Sequence, residues 1–361
     1  MESRPYSMSA TAHIDFSAEW RDEQGEFIIH GELDHEGIQP VKTFLAAWQD
    51  ARSFIEVHSS GSTGKPKRME IPKQWMIASA QLTLNQLNIS EGQRALICIS
   101  AAHIGGMMMM VRAIVGKLNL YILPPSSIPL LDEKIDFTAL VPLQVYALWE
   151  RNGNLDTYGT VIIGGASLNR KWITELKKSQ NPIYASYGMT ETVSHVALRK
   201  ISGRDSEDFF QCLPGIKASV GDEQRLHLDI AHFDALHVET QDIVELIDEQ
   251  RFNWIGRADN VINTGGIKLI PERLEEKLSA LLSTEFFISS EEDERLGQLV
   301  ILCIEGQAEG NQIHTLCKQV LEKHERPRKI YQVKEMKKSA SGKILKQETL
   351  HMTLLLWSKE S

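Results

Sequence analysis

Between residues 94 and 191, short apolar runs alternate with stretches of helical periodicity. The runs at 95–100, 118–123, 138–141, 160–163 and 183–186 predict strands buried on both faces, because they lack regular polar alternation. The stretches at 104–115, 142–151 and 169–179 place apolar residues at helical spacing. Such an alternation predicts βαβ units around a buried sheet. A different texture follows: 226–230, 235–238 and 243–247 read as shorter strands with no long helix between them, a β-rich subregion.

From residue 260 the pattern changes again. Segments 261–264 and 268–270 predict a hairpin around Gly265-Gly266, and Pro271 then opens a helix where its missing N–H costs little. Strands at 285–290 and 299–305, a helix at 312–325, another strand and a final helix over 344–356 complete a small α+β unit. The expected organisation is α/β. A large N-terminal domain over 1–258, with mixed or parallel sheets flanked by helices, precedes a small C-terminal domain over 259–361.

Composition narrows the function classes. A chain of 361 residues suffices for one large and one smaller domain. Its net charge of −9 argues against a nucleic-acid partner, which selects clustered positive surface. Met1-Glu2-Ser3-Arg4-Pro5 lacks the apolar stretch of a secretory signal. The most apolar run, near 104–115, is too short and Gly-rich for a membrane span. Cys98, Cys212, Cys303 and Cys317 have no paired spacing and predict reduced thiols. The expectation is a cytoplasmic protein without membrane insertion; oligomeric state stays open.

Four segments carry chemistry. Ser59-Ser60-Gly61-Ser62-Thr63-Gly64-Lys65-Pro66-Lys67 combines small residues, hydroxyls and lysines, a composition suited to phosphate oxygens. Its spacing is not that of a Walker A loop, and a flexible polar turn is the alternative. The amphipathic stretch 73–87 places it in a strand–loop–helix context. Tyr187-Gly188-Met189-Thr190-Glu191-Thr192 offers a hydroxyl beside a carboxylate, groups that suit a phosphate and a Mg²⁺ ion; the same residues suit a helix N-terminus. Gly256-Arg257-Ala258-Asp259 stands where the pattern changes. Ser341-Gly342-Lys343 precedes the last helical run, and its lysine could equally be a solvated charge. Between them, Gly164-Gly165-Ala166 ends a strand candidate, where bare backbone admits a flat ligand; a simple turn is the alternative.

This set resembles the adenylate-forming (acyl-CoA synthetase) superfamily, which activates a carboxylic acid as its acyl-AMP. The resemblance spans about residues 53–350 and leaves the first fifty unmatched, implying a large domain shortened at its N-terminus. It implies ATP, Mg²⁺ and coenzyme A as ligands and a mobile C-terminal domain. It makes Ser59, Ser60, Gly61, Ser62, Thr63, Gly64 and Lys65 the phosphate loop. Gly164, Gly165, Ala166, Tyr187, Gly188 and Met189 become the adenine surround. Thr190 falls on the α-phosphate, Glu191 on Mg²⁺, Asp242 on the ribose and Arg257 on the ribose or a phosphate. Gln241 stands where the family commonly has glycine, and a turn-forming Asp242 is the alternative. Asp259 becomes the interdomain hinge, Gly265-Gly266 part of a coenzyme A channel, and Lys343 the catalytic lysine. Ser339 fits a threonine slot of that last motif, and Lys337 replaces its proline.

Within the superfamily the chain is most similar to the o-succinylbenzoate–CoA ligases of menaquinone synthesis. The likeness lies in Ser100-Ala101-Ala102-His103-Ile104-Gly105-Gly106, Ile163-Gly164-Gly165-Ala166-Ser167-Leu168 and the stretch from Tyr187 to Val196. That acid keeps one carboxylate after the other is activated, so the pocket needs an apolar wall and a polar far end. His103, Ser194, His195 and Arg199 are the polar candidates, with the methionines at 107–110 as wall or core. Two other readings stay open: an adenylation enzyme loading a carrier protein, and a non-catalytic nucleotide-binding regulator.

Overall fold

The computed structural model describes residues 11–31, 37–59, 67–339 and 342–358. Its elements in chain order are β1 (Ala12–Asp15), α1 (Ile38–Gln49), β2 (Phe54–Ser59), β3 (Lys67–Pro72), α2 (Lys73–Gln86), β4 (Arg94–Ile97), α3 (Ile104–Gly116), β5 (Asn119–Ile122), β6 (Ile135–Leu140), α4 (Pro142–Asn152) and β7 (Tyr158–Ile163). There follow α5 (Arg170–Leu176), β8 (Ile183–Gly188), β9 (His195–Lys200), β10 (Phe210–Cys212), β11 (Ile216–Val220), β12 (Arg225–Ile230), β13 (Leu236–Asp248) and β14 (Arg251–Arg257). The last are β15 (Ile262–Thr264), β16 (Ile267–Leu269), α6 (Pro271–Leu278), β17 (Phe286–Asp293), β18 (Gly297–Glu305), α7 (Gly310–Val320), β19 (Lys329–Val333), α8 (Lys346–Leu350) and β20 (Leu354–Ser358). They fold as two compact units: 1–165 with 175–217 and 228–238, and 166–174 with 218–227 and 239–361.

In the first unit a mixed sheet runs in the order β1-β5-β4-β6-β7-β8-β9-β10. The five central strands are parallel, and the flanking pairs β1–β5, β8–β9 and β9–β10 are antiparallel. Leu96, Val161 and Ile183 are buried on these strands, as the continuous apolar runs predict, and β6 starts earlier than expected, taking in Phe137. Parallel strands put their carboxyl ends on one edge, where ligands of open α/β sheets bind. His103, Gly164 and Tyr187 follow or close β4, β7 and β8 at that edge.

The phosphate-loop candidate sits in a different context from the expected strand–loop–helix. β2 and β3 form an antiparallel hairpin, paired from Phe54↔Pro72 to Ser59↔Lys67, and α2 begins only after β3. The hairpin forms because Ile55, Val57 and Ile71 share a buried face while Glu56 and Arg68 pair at 2.7 Å on the other. Ser60, Gly61, Ser62, Thr63, Gly64 and Lys65 lie outside the described residues. At the start of α2, Trp75 Nε1 donates to Asp234 Oδ2 at 2.9 Å and stacks on Phe233.

In the second unit, β13 and β14 pair antiparallel from Asp242↔Arg257 to Asp248↔Arg251. The two strands expected at 235–238 and 243–247 are therefore one, since the polar residues between them continue the ladder rather than turn. A smaller sheet takes the order β16-β15-β18-β19-β20, with β17 also on β18. Leu274 and Leu278 of α6, Ile313 and Cys317 of α7 and Leu302 of β18 build its core. The final helix expected over 344–356 stops at Leu350, and β20 follows. Leu354–Ser358 pairs with β19, and Trp357 stacks on His314 at 3.9 Å, which a continued helix would forgo. All four cysteines are buried, and none forms a disulfide.

Candidate active site

Tyr187, Gly188 and Met189 lead from β8 into a single 3₁₀ turn over Thr190–Thr192, and β9 follows almost at once. No α-helix starts here, so Thr190 does not act as the cap of one. Thr192 secures the turn. Its Oγ1 accepts from Met189 N–H at 3.0 Å and lies 3.0 Å and 2.8 Å from the carbonyls of Met189 and Ser194. Val193 then takes φ +67 and ψ −50, a γ-turn in which Ser194 N–H donates to Thr192 C=O at 2.7 Å. For a buried β-branched residue this backbone costs about 1–3 kcal/mol. The turn leaves Glu191 exposed, with no hydrogen bond or ion pair among the described residues, while Ser194 and His195 face inward. Glu191 thus offers free carboxylate oxygens, the donors a Mg²⁺ ion takes.

On the inner side lies a residue that composition and spacing did not single out. Arg112 of α3 is 2% exposed, and no carboxylate pairs with it among the described residues. Its Nη2 donates to Ser194 Oγ at 2.7 Å and to His195 Nδ1 at 3.4 Å, Nη1 lies 3.8 Å from Met109 Sδ, and Nε has no partner. Because His195 Nδ1 accepts, the ring carries its proton on Nε2, which donates to Thr83 Oγ1 at 3.0 Å; Thr83 in turn donates to the Ser79 carbonyl. Burial pulls the Arg112 pKa down to about 9, and burial followed by the Arg112 charge holds His195 well below its ordinary value. The signal available in the sequence was one arginine within an otherwise uncharged helix.

Of the other acid-pocket candidates, His103 is exposed at the start of α3. Met108, Met109 and Met110 are fully buried, so the expected soft wall is core at three of its four positions. Arg199 lies on β9 with its guanidinium 5.2 Å from the Phe210 ring. Around the adenine candidates, Gly164 N–H donates to Leu140 C=O, Gly165 and Ala166 follow it at the end of β7, and the Tyr187 ring lies 5.9 Å from Phe210.

The second unit gathers another set. Asp242 is buried on β13 and accepts from Trp254 Nε1 at 2.9 Å; Arg257 Nη1 lies 3.8 Å from the same oxygen. Arg257 closes a fork on Asp259 at 2.9 and 2.6 Å. That hydrogen-bonded pair, with a lesser contribution from the Lys343 charge, lowers the Asp259 pKa. Gly265 and Gly266, at φ +59 and +82, make the two-residue turn between β15 and β16, which requires positive φ at both positions. Lys343 is exposed on a tight reversal: Ser339 N–H donates to Lys343 C=O at 2.9 Å, and Lys343 N–H donates to Ser339 Oγ at 3.1 Å. The hydroxyl expected in the threonine slot thus shapes the lysine's turn.

A mixed sheet with a parallel centre, a glycine-bearing strand end and a threonine–glutamate turn, together with a second, smaller sheet, is the fold of the adenylate-forming ligases. The chain belongs to the AMP-binding enzyme family, whose model matches residues 17–227. The match begins well before residue 53, so the expectation that the first fifty residues stand outside the family is corrected. Its class is the AMP-forming acid–CoA ligases. An AMP-forming acyl-CoA synthetase/AMP-acid ligase II-like protein of Dyadobacter fermentans is 33% identical with a TM-score of 0.59, over 88% of this chain and 95% of that one. The 2-succinylbenzoate–CoA ligase of Bacillus cytotoxicus is 24% identical, over 82% of this chain and 70% of its own length. The Bacillus subtilis o-succinylbenzoate CoA synthetase, solved with its acyl-adenylate intermediate, shares the fold at a TM-score of 0.68 and 18% identity, over 81% of this chain and 68% of that one. No helix among the described residues is long and apolar enough to cross a membrane.

Proposed function

We propose that the chain joins a carboxylic acid to coenzyme A through an acyl-AMP, and that the acid is a dicarboxylate of the o-succinylbenzoate type. Arg112 is the observation that carries the acid's character. A guanidinium withdrawn from water with only neutral partners is electrostatically incomplete. A second, non-reacting carboxylate completes it, and a fatty or short aliphatic monoacid does not. The likeness to 2-succinylbenzoate–CoA ligases supports the same acid.

In this reading Ser59 to Lys65 and Thr190 hold the ATP phosphates, and Gly164, Gly165, Ala166 and Tyr187 to Met189 frame the adenine. Asp242 and Arg257 take the ribose, and His103, Ser194 and His195 border the acid. Mg²⁺ held by Glu191 supplies charge neutralisation on the triphosphate. Lys343 donates to the acid's carboxylate and to an α-phosphate oxygen, removing their mutual repulsion. The carboxylate oxygen attacks the α-phosphorus, the bond to the bridging oxygen breaks, and pyrophosphate leaves. The domain over 259–361 then turns about Asp259, withdrawing Lys343 and bringing Gly265-Gly266 beside the thiol path. The thiol sulfur attacks the acyl carbon, its proton passes to solvent, and AMP departs.

The test is a panel of acids with MgATP and free coenzyme A, read as AMP, pyrophosphate and acyl-CoA. The expected outcome is product from o-succinylbenzoate and none from fatty or short aliphatic acids. The reverse outcome removes the assigned acid and keeps the reaction class. ATP binding with no acid-dependent pyrophosphate exchange removes both.

A further inference from the structure

One enclosed carboxyl of the second unit has no part in the chemistry described so far. Glu272, the second residue of α6, accepts from Asn260 Nδ2 at 2.6 Å through Oε1. Its Oε2 is closed off from solvent and has no hydrogen-bond partner among the described residues. The same Oε2 lies against bare backbone at the end of β14: a Cβ on Gly256 would fall 2.5 Å from it and 2.5 Å from Ile270 Cγ2. The carboxyl therefore touches both ends of the five-residue segment from Gly256 to Asn260. That segment holds Arg257 and Asp259, which are forked to each other.

We propose that Glu272 is a positioning residue that straps this segment to α6, so that its release and re-formation help set the balance between acyl-AMP formation and thioester formation. The proposal rests on the two-step reaction and the turn about Asp259 set out above. Asn260 follows the hinge residue directly, so a change of backbone at Asp259 carries its amide away from Glu272. One oxygen of the strap is satisfied and the other is not. A buried acceptor without a partner weakens the closed arrangement, because that oxygen recovers water on opening. Such a strap holds without locking. It also explains a glycine at position 256 beyond the Gly-Arg-x-Asp motif: any side chain there would displace the carboxyl.

Two variants separate this role from general stability. Glu272→Ala removes the acceptor, whereas Glu272→Gln keeps the Oε1 acceptor and the shape. In the full-length chain, Glu272→Ala is expected to change the ratio of acid-dependent pyrophosphate exchange to thioester formation by about fivefold, the effect of losing one hydrogen bond. Glu272→Gln should stay within about twofold of the parent, on the same principle that an intact bond is not lost. Asn260→Ala removes the donor from the other side and serves if Glu272→Ala does not fold. Amide hydrogen exchange over residues 256–264 provides a second readout, independent of substrate, and should rise in Glu272→Ala and Asn260→Ala but not in Glu272→Gln. Equal losses in both half-reactions, a Glu272→Gln that behaves as Glu272→Ala, or unchanged amide exchange in the alanine variants would overturn the strap. A parent inactive with every acid, yet with exchange responding as described, would sink the two-step reading and leave the strap's hold on the segment standing.

Discussion

Arg112 and Lys343 are cations assigned to the same proposed reaction, and the chain surrounds them in opposite ways. Arg112 sits within a helix among buried methionines, with Ser194 and His195 fixed on its guanidinium. Lys343 stands exposed on a turn that holds only its backbone, through Ser339. A buried cation is preorganised and costly to the fold, so its position is suited to recognition that must not vary. An exposed one costs the fold little and is free to be carried into and out of a site. Removing each in turn tests whether that division is real.

The largest effect belongs to the exposed cation. Lys343→Ala is expected to lower acid-dependent pyrophosphate exchange by about 10²–10³-fold, the usual cost of losing a preorganised transition-state donor. Stability in urea should move by less than about 0.5 kcal/mol, as for other surface changes. A large fall in stability would show that Lys343 is structural after all and would dissolve the contrast. Next comes Arg112→Met. Loss of a charged hydrogen-bonding partner should raise KM for the dicarboxylic acid by about 10–100-fold, with KM for ATP unchanged. The fold should stay within about 2 kcal/mol of the parent, because removing a buried charge offsets the acceptors left unpaired on Ser194 and His195. Equal rises in both KM values would place Arg112 outside the acid pocket.

The same contrast explains what the sequence made legible. Buried parallel strands announce themselves as continuous apolar runs, and Leu96, Val161 and Ile183 were placed on strands from that pattern alone. Motifs with unusual residue types stood out in the same way: the hairpin turn at Gly265-Gly266 follows from what two glycines permit. The β2–β3 hairpin was not legible, because its alternation is short and its charged face resembles a solvated loop. The helix expected over 344–356 failed for a related reason. Leu354–Trp357 suits helix or strand equally, and the open side of β19 decides between them. Arg112 was hidden most completely. Nothing local distinguishes an arginine that faces solvent from one that faces Ser194 and His195, which lie 82 and 83 residues further along the chain. The residue roles drawn from the family likeness rest on different support, and the experiments above address them.

The smallest expected effect sharpens the buried half of the comparison. His195 accepts from Arg112 through Nδ1 and donates to Thr83 through Nε2, so a second ring proton would have to sit on the nitrogen facing the guanidinium at 3.4 Å. Burial and then that charge depress its pKa well below 6.5. In the unfolded chain the ring takes up a proton near its ordinary value of about 6.5, while in the folded chain it resists one. The unfolded state therefore binds more protons at acid pH. The stability His195 contributes is fully present above about pH 6.5 and is lost as the pH falls toward the depressed folded value, at up to about 1.4 kcal/mol per pH unit. His195→Gln preserves an acceptor for Arg112 and a donor for Thr83 but cannot be protonated. Between pH 7.5 and 5 its urea stability should therefore fall less steeply than the parent's, while the carboxylates common to both chains cancel in the difference. Parallel stability curves would mean that the parent ring takes up its proton without penalty. Arg112 would then not be the buried, acceptor-seeking cation on which the choice of a dicarboxylic acid depends.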